Sequence, residues 1–265
     1  MPLIKKYTKT YKSRSLWGKL RVSRMLLKDA ATASMVPAAA PFTLNRLKNM
    51  ASRFNRLYIK PDIGSLGIGI HRLRLSAGGS YELVSTVSRS QTTRYFPTID
   101  SVYYHLKNGQ SSGKLFIQQG ILLDRFDGKP YDLRVMVQRR PGGSWTCTGM
   151  FAKVASPSKI VTNVHQGAKL YMLSRLLELQ GLSPSSVQSK ISWMESRALA
   201  VSRSLSSQYS GMNEMGIDFA IDRSGKLWII EVNTNHPQFG PIKQLNRTVY
   251  NRMLNYARSY GRFDD

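Results

Sequence analysis

The chain has 265 residues, of which 39 are lysine or arginine and 15 are aspartate or glutamate, so its formal net charge is +24 at pH 7. A hydrophobic content of 42% suffices for a packed core and excludes wholesale disorder, and the single cysteine excludes a disulfide framework and a CxxC zinc site. No apolar run reaches the roughly 20 residues that cross a bilayer, and the basic N-terminus lacks the apolar part of a secretory signal, so we predict a cytoplasmic protein without a transmembrane segment.

The chain begins with a basic lead-in. Residues 1–28 contain nine lysine or arginine residues and no acidic residue, and weak helical periodicity runs through 16–27. This charge indicates either a solvated surface or a contact with a polyanion. Three alanines between Pro37 and Pro41 predict a linker or an extended connection.

Short strands and two helices are predicted for the next part of the chain. Thr43 suits an N-cap, and apolar residues at spacings of three and four then predict a helix that ends near Phe54. Composition, alternation and turn residues predict further elements: strands at 57–59, 70–75, 81–87 and 114–119, and a helix at 98–107.

The remainder of the chain is predicted to contain strands, then helices, then a hairpin. The same signals give these elements: strands at 132–138 and 145–154 around the turn 141–143, helices at 168–180 and 184–207, hairpin strands at 215–221 and 226–232, and a C-terminal helix at 244–260. The hairpin turn Asp222-Arg223-Ser224-Gly225 is the clearest of these signals.

The hairpin places oxygen ligands on one face. If Asp222 pairs with Gly225, Asp218 lies opposite Ile229, and alternation puts Glu231 and Asn233 on the face of Asp218. The opposite face would be a core layer of Ile217, Phe219, Ile221, Trp228, Ile230 and Val232. Magnesium typically takes one or two carboxylates, together with phosphate oxygens and water. The face therefore predicts either a magnesium site or an ordinary half-exposed hairpin with its acids in water.

A glycine-rich turn, 64–69, follows Lys60 at the end of a strand. Such a turn lets backbone N–H groups approach phosphate oxygens, and a lysine adds a point charge. The spacing does not fit a Walker A loop, and no helix follows as a dinucleotide-binding turn requires. Together with the magnesium-type face, the turn indicates a nucleoside triphosphate.

Three further positions could carry chemistry. Arg134 shares a strand face with Asp132 and Met136, and an arginine held by an acid can clamp a phosphoryl group or form a surface salt bridge. Asn163 lies in a polar turn before a predicted helix, where an anion can bind. Cys147 lies in a strand pattern and is interpreted as a packed core residue rather than a nucleophile.

Taken in order, these motifs resemble the ATP-grasp superfamily and, within it, the YheC/YheD group associated with endospore coats. The matching segments are Tyr58-Ile59-Lys60-Pro61, the turn 64–69, Phe116-Ile117-Gln118-Gln119-Gly120-Ile121, Asp132-Leu133-Arg134, Asn163 to Gly167, Gly216-Ile217-Asp218 and Glu231-Val232-Asn233. The resemblance covers about 35–240, and the lead-in from Trp17 to Pro37 is also similar to that group.

The resemblance implies an α+β ATP-grasp fold, with two α/β lobes whose antiparallel sheets grip ATP. It divides the chain into a basic extension (1–40) and an ATP-grasp domain (41–265), with a nucleotide-covering lobe at about 41–118 and a metal and catalytic lobe at about 119–265. A short extension then stands in place of a full N-terminal domain, which leaves the acceptor site reduced, shared with a partner or absent.

The resemblance also implies roles for individual residues. ATP would be bound by Lys60, by Ser65, Gly67 and Gly69 of the covering loop, and by Gln118, Gln119, Gly120 and Ile121 of the strand that reads adenine. Asp218, Glu231 and Asn233 would hold Mg²⁺, or Mn²⁺ in its place. Arg134, Asn163 and Lys153 would lie near the transferred phosphate.

Three functions follow from these observations. The first is an ADP-forming carboxylate–amine ligase that uses ATP, Mg²⁺ and an acyl phosphate, with an unidentified carboxylate and an acceptor that could be an acidic polymer or protein. The second is a spore-associated structural protein that binds nucleotide without ligase turnover. The third, a nucleic-acid-binding protein, is disfavoured because the lead-in has few stacking aromatic residues and no recognised reading motif.

Overall fold

The computed structural model describes residues 8–64, 67–88, 90–109, 113–157, 159–162 and 164–263. Within these residues, two antiparallel sheets and their helices form the fold. No helix among them combines the length and the apolar character that a membrane span requires.

The first sheet is built from the N-terminal half of the chain. Its strand order is β1-β6-β2-β3-β4-β5. The strands are β1 (Ala39–Pro41), β2 (Leu57–Pro61), β3 (His71–Leu75), β4 (Tyr81–Val87), β5 (Ser90–Phe96) and β6 (Leu115–Gln119). Helices α3 (Leu44–Arg53) and α4 (Ile99–Asn108) pack on it through a core that includes Leu47, Ile59 and Val102. The threonine predicted as a cap does cap α3, because the Thr43 hydroxyl accepts from the Arg46 N–H.

The second sheet has the order β10-β9-β8-β11-β12, and β7 pairs with β8. Its strands are β7 (Arg125–Phe126), β8 (Lys129–Gln138), β9 (Thr146–Val154), β10 (Lys169–Met172), β11 (Glu214–Ile221) and β12 (Leu227–Asn233). Its helices are α1 (Lys19–Leu26), α2 (Ala30–Ala33), α5 (Leu173–Leu179), α6 (Pro184–Gln208), α7 (Ile242–Leu245) and α8 (Arg247–Ser259). One face of the sheet packs on α1, α5 and α6, and α8 covers part of the other face.

Alternation along β8 decides what each face of this sheet carries. Leu133, Val135 and Val137 lie in the core under α6, whereas Met136 packs under α8. Arg134 lies on the Met136 side, as predicted, but beyond the reach of α8. The open part of this face is where the site forms.

Three predicted elements differ from the structure, and one strand of the first sheet was missed. The predicted linker 38–40 contributes β1, which pairs with β6. The predicted helix 168–180 starts as β10, because its first residues pair with β9 at the sheet edge. The C-terminal helix is divided at Asn246, whose extended backbone ends α7 and whose side chain caps α8. The strand β5 was not predicted, since its polar sequence lacks an apolar alternation.

The basic lead-in packs into the fold over its described part, 8–36. Tyr11, Leu16, Val22 and Leu26 are buried, and all but Tyr11 belong to the core under the second sheet. The cations of this segment lie on its outer side or in polar contacts. The described lead-in is therefore both part of the folded core and a cationic surface.

Candidate functional site

A cleft of about 560 Å³ lies between the two sheets. It is lined by strands β2, β6, β8, β9, β11 and β12 and by the turn after β2. The sequence-predicted residues that line it are Lys60, Gly67, Gln118, Gln119, Ile121, Asp132, Arg134, Lys153, Asp218, Glu231 and Asn233. The fold thus brings residues from six separate strands to one concave surface.

The hairpin β11–β12 puts its two carboxylates directly opposite each other. Asp218 pairs with Glu231 rather than with Ile229, because the turn is one residue longer than predicted and a bulge lies between Asp218 and Phe219. Together, the longer turn and the bulge shift the pairing of the two strands by two residues at Asp218. A shift of two residues leaves Glu231 on the same face of the sheet as Asp218. The prediction that these carboxylates share a face is confirmed, although the predicted register is wrong.

The longer turn also exchanges the faces of two apolar residues. Ile229 was predicted on the face of Asp218, but it lies in the core, 4% exposed. Ile230 was predicted in the core layer, but it lines the cleft. The turn places Ile229 opposite Phe219, and the bulge then returns Glu231 to the face of Asp218. Alternation along the sequence reveals neither change.

Asp218 is the centre of a buried ionic cluster. Arg134 binds it in a bidentate manner, with Nε 2.7 Å from Oδ1 and Nη2 2.9 Å from Oδ2. Lys153 Nζ lies 2.9 Å from Asp218 Oδ1 and 3.1 Å from Asp132 Oδ1. The Thr162 hydroxyl donates to the other oxygen of Asp132. Two cations and two carboxylates therefore hold one another in fixed positions.

The two carboxylates of this cluster ionise differently. Burial alone would raise the pKa of Asp218, but Arg134 and Lys153 hold it well below its ordinary value. Burial raises the pKa of Asp132 to about 6. The positive charge of Lys153 lowers this pKa, whereas the negative charge of Asp218 raises it further. Asp218 is therefore the permanent anion of the pair.

Lys60 is a buried ammonium whose hydrogen-bond partner is an amide: no carboxylate of the described residues lies at hydrogen-bond distance from it. Its Nζ donates to Gln118 Oε1 at 2.7 Å, and Gln118 Nε2 donates to the Ile230 carbonyl of the other sheet at 3.2 Å. Burial lowers the pKa of Lys60 to about 8; nearby Glu231 opposes this shift and Lys19 adds to it. Lys60 thus faces the cleft as a poorly solvated cation.

The connection after β6 is closely packed against β2. The Gln119 N–H donates to the Ala38 carbonyl and the Gly120 N–H to the Arg56 carbonyl. A Cβ at Gly120 would lie 2.5 Å from Arg56 Cγ and 2.9 Å from its carbonyl oxygen, which explains the glycine. These two N–H groups are engaged within the protein, so a ligand would contact the other backbone groups of the segment, such as those of Ile121.

The glycine-rich turn is attached to β4. Gly67 and Gly69 have φ values of 70° and 69°, which side chains with a Cβ rarely adopt. The Thr86 hydroxyl donates to the Gly67 carbonyl at 2.7 Å, and the Gly69 N–H donates to the Thr86 carbonyl. Ser65, predicted in the covering loop, lies outside the described residues.

Lys19 is a site residue that the sequence analysis counted only as part of the basic lead-in. Its Nζ donates to the Gly64 carbonyl at 2.9 Å and lies 3.4 Å from Glu231 Oε1. The start of α1 is held by Asp62, which accepts from the Lys19 and Leu20 N–H groups. A lysine in the first turn opposes the helix dipole, and this conflict was the available sequence signal.

The loop after β9 contacts the first sheet across the cleft. The Tyr58 hydroxyl donates to the Ile160 carbonyl at 3.0 Å, and the Ile160 N–H donates to Gln91 Oε1 at 2.8 Å. Asn163, predicted near the transferred phosphate, lies outside the described residues. The described part of this loop closes one side of the cleft.

The predicted metal ligands differ in how far they are engaged. Both oxygens of Asp218 accept from Arg134, whereas Glu231 has, within the described part of the chain, a single longer contact, with Lys19 at 3.4 Å. Asn233 Oδ1 accepts from the Asn235 N–H at 3.0 Å. Among the described residues, no group of three histidine, cysteine or acidic side chains forms a metal site. Glu231 and Asn233 suit a magnesium ion that takes its remaining ligands from phosphate and water.

Cys147 has no catalytic environment. It is 5% exposed in the core, and burial raises its pKa to about 12. A thiol in this state is not a nucleophile at neutral pH. The interpretation as a core residue is confirmed.

The sequence is similar to that of known ATP-grasp proteins. Residues 8–260 match the family described as YheC/D like ATP-grasp. The endospore coat-associated proteins YheD and YheC of Bacillus subtilis (strain 168) are 28% and 20% identical, over 96% and 87% of this chain. The matched regions span 57% and 63% of those two proteins.

Two solved structures share the fold at 11% identity. The ADP complex of PurK, an N5-carboxyaminoimidazole ribonucleotide synthetase, has a TM-score of 0.51 and is matched over 88% of this chain and 48% of its own. The ATP-grasp ligase PsnB, in complex with a precursor variant, Mg and ADP, has a TM-score of 0.50 over 91% of this chain and 58% of its own. From its family match and its two-sheet fold, the chain belongs to the YheC/D-like ATP-grasp family.

Proposed function

We propose that the cleft binds ATP with Mg²⁺ and that the protein is an ADP-forming ligase of the carboxylate–amine type. One observation carries the proposal: the paired carboxylates Asp218 and Glu231 line the same cleft between the two sheets as the cations Lys60 and Arg134. The ADP complexes of PurK and PsnB support a nucleotide in a cleft of this fold.

Cations supplied by both sheets and by the lead-in suit a polyphosphate. Lys60 comes from the first sheet, Lys153 from the second and Lys19 from α1. Lys60 and Lys19 would bind phosphate oxygens as point charges, and Gly67 and Gly69 let the turn approach closely. The segment 118–121 would contact the base with its remaining backbone groups. Because the site is buried, these charges act with little screening.

The magnesium ion would be held by Glu231 and Asn233. In this proposal Asp218 serves mainly to fix Arg134 and Lys153, because both of its oxygens already accept from those cations. Bound Mg²⁺ and ATP would supply charge neutralisation and the phosphoryl group that activates a carboxylate for attack by an amine. Arg134, held rigidly, would stabilise charge at the transferred group without reorganising.

Nucleotide binding without turnover is the second candidate. Both cations placed for catalysis, Arg134 and Lys153, are paired with carboxylates of their own cluster. If this pairing persists with nucleotide bound, neither cation is available to the reacting groups. A spore-associated role, suggested by the name of YheD, is compatible with either candidate.

Calorimetric titration with Mg-ADP and with a non-hydrolysable Mg-ATP analogue tests the nucleotide site. We expect micromolar, magnesium-dependent binding that Lys60→Met and Glu231→Gln weaken at least about tenfold, since each removes a charge from the cleft. Lys190→Met and Glu178→Gln make the same chemical changes on exposed helix positions and should leave binding unchanged.

Salt and turnover separate the remaining alternatives. Binding that the cleft variants leave unchanged, or that moderate salt abolishes, would contradict a buried nucleotide site. If the cleft binds nucleotide, a mixture of carboxylates and amines is added together with Mg-ATP. Formation of ADP that depends on this mixture supports the proposed ligase activity. Tight binding with no such release in any mixture would favour the second candidate.

A further inference from the structure

A second concave surface, which we call the lead-in groove, adjoins the cleft. Its volume is about 750 Å³. It is lined by Thr8, Lys9, Tyr11, Lys12, Ser13, Arg14, Ser15 and Trp17 of the lead-in, and by Tyr209, Gly211, Asn213 and Asn235. None of the roles assigned above uses these residues.

The groove and the nucleotide cleft share a thin wall. On the lead-in, Trp17 lines the groove and Lys19 lines the cleft; on the chain after β12, Asn235 lines the groove and Asn233 lines the cleft. The wall is fixed by hydrogen bonds, because the Leu16 N–H donates to the Thr234 hydroxyl at 2.8 Å. The Asn235 N–H in this wall also donates to Oδ1 of Asn233, one of the proposed magnesium ligands, at 3.0 Å. The groove is therefore connected to the cleft through adjacent residues of one segment.

A buried ionic cluster lies behind Lys9 and Tyr11 of the groove. Glu214 is fully buried, and it pairs with two cations: Lys9 Nζ at 3.1 Å and Arg262 Nη1 at 2.7 Å. The Lys9 ammonium also donates to the Thr234 carbonyl at 2.7 Å. Lys9 is thus a groove-lining cation held in place by Glu214 and by the Thr234 carbonyl.

The walls add exposed cations. Lys12 and Arg14 are exposed, and no acidic side chain occurs among the described residues that line the groove. Opposed charges raise the association rate and the specificity of a ligand more than its affinity. The groove therefore favours an extended anion.

A peptide fits this lining better than a nucleic acid does. Single-stranded nucleic acids are bound by stacking bases on several exposed aromatic rings. The ring of Tyr209 is already covered by Arg14 at 4.4 Å and by Arg21 at 5.3 Å. Tyr11 is buried, and Trp17 is the other aromatic residue of the lining. The rest consists of amides, hydroxyls, cations and one glycine, and these polar groups suit carboxylates and peptide groups.

We propose that the lead-in groove binds a carboxylate-rich peptide segment and presents it to the nucleotide cleft. The proposal rests on the proposed function, since it makes this peptide the acidic substrate of the ligase. It assigns to the described lead-in residues a binding role beyond their packing.

Fluorescence anisotropy with a labelled oligo-glutamate peptide tests the groove. We expect the wild type to bind it, and the double variant Lys12→Glu with Arg14→Glu to bind at least about tenfold more weakly. The control double variant, Lys190→Glu with Arg197→Glu, makes the same change in net charge on the exposed side of α6 and should bind like the wild type. Thermal melts would show that both variants are folded.

Equal weakening in the two double variants would overturn the proposal, because net charge alone would then explain binding. So would tighter groove-dependent binding of an oligodeoxythymidylate than of the peptide, or no peptide binding by the wild type. Mg-ADP titration of the same proteins separates the two proposals. If the groove variant binds Mg-ADP normally but not the peptide, both hold, and if the wild type binds no nucleotide, the proposed function fails by itself.

Discussion

At the scale of single residues, Lys60 is the group whose ionisation bears most directly on the site. Burial lowers its pKa to about 8, and Gln118, its hydrogen-bond partner, is neutral. A lysine in water has a pKa of about 10.4, so burial moves this group into the accessible pH range. The folded protein at pH 8 therefore contains a mixture of charged and neutral Lys60.

Lys60 should take up a proton when a nucleotide binds near pH 8. A phosphate beside the amine favours the ammonium form, so the pKa rises on binding and the affinity falls as the pH rises through about 8. Calorimetry in buffers with different ionisation enthalpies measures this uptake. The Lys60→Arg variant keeps its charge and should show none. Equal uptake by both proteins would assign the proton to another group.

At the scale of elements, the contact between β9 and α8 depends on the absence of a side chain. Gly149 lies where a Cβ would be 2.2 Å from Met253 Cε and 2.7 Å from Val249 Cγ1. The helix therefore lies against the strand backbone, on the same face of the sheet that becomes the cleft beyond Met136. The position of α8 sets where the cleft begins.

Gly149→Ala should lower the free energy of unfolding by about 1–3 kcal/mol, since the added methyl group overpacks this contact. Urea denaturation followed by circular dichroism measures the change. Gly78→Ala is the matched control, because a Cβ there would meet no atom within 4 Å. We expect the control to change stability by less than about 0.5 kcal/mol. Equal effects would mean that α8 adjusts to the extra methyl group.

At the scale of the whole molecule, one buried carboxylate joins both ends of the described chain. Glu214 at the start of β11 accepts from Tyr11 at 2.6 Å, from Tyr260 at 3.0 Å and from Arg262 at 2.7 Å. Arg262 is fully buried and also donates to the Pro237 carbonyl, just beyond the proposed magnesium ligand Asn233. The chain ends therefore support the loop that follows the site.

Arg262→Met should lower the free energy of unfolding by about 3 kcal/mol, because it removes one partner of a buried ion pair. This value is at the lower end of the range for breaking a buried ion pair, because Lys9 still neutralises part of the charge of Glu214. Arg258→Met, at an exposed position of α8, should cost less than about 0.5 kcal/mol. A calorimetric melt of each variant makes the comparison. A loss as small as that of the control would mean that Lys9 alone neutralises Glu214.

Local patterns determined much of this molecule. The N-cap of α3, the long helix α6 and the strand faces of β8 were predicted because each depends on residues close together in the chain. The ordered motifs likewise predicted the ATP-grasp fold. The shared face of Asp218 and Glu231 followed from alternation, which a shift of two residues leaves intact.

Only the tertiary structure decided how the site is completed. The hairpin turn, one residue longer than predicted, puts Ile230 in the cleft, and the bulge after Asp218 keeps Glu231 on the same face. Alternation along the sequence reveals neither change. The bidentate pair of Arg134 and Asp218 joins residues 84 positions apart, and the contact of Lys19 with Gly64 joins residues 45 apart. A sequence pattern reports the period of one element, whereas these contacts depend on where separate elements pack together.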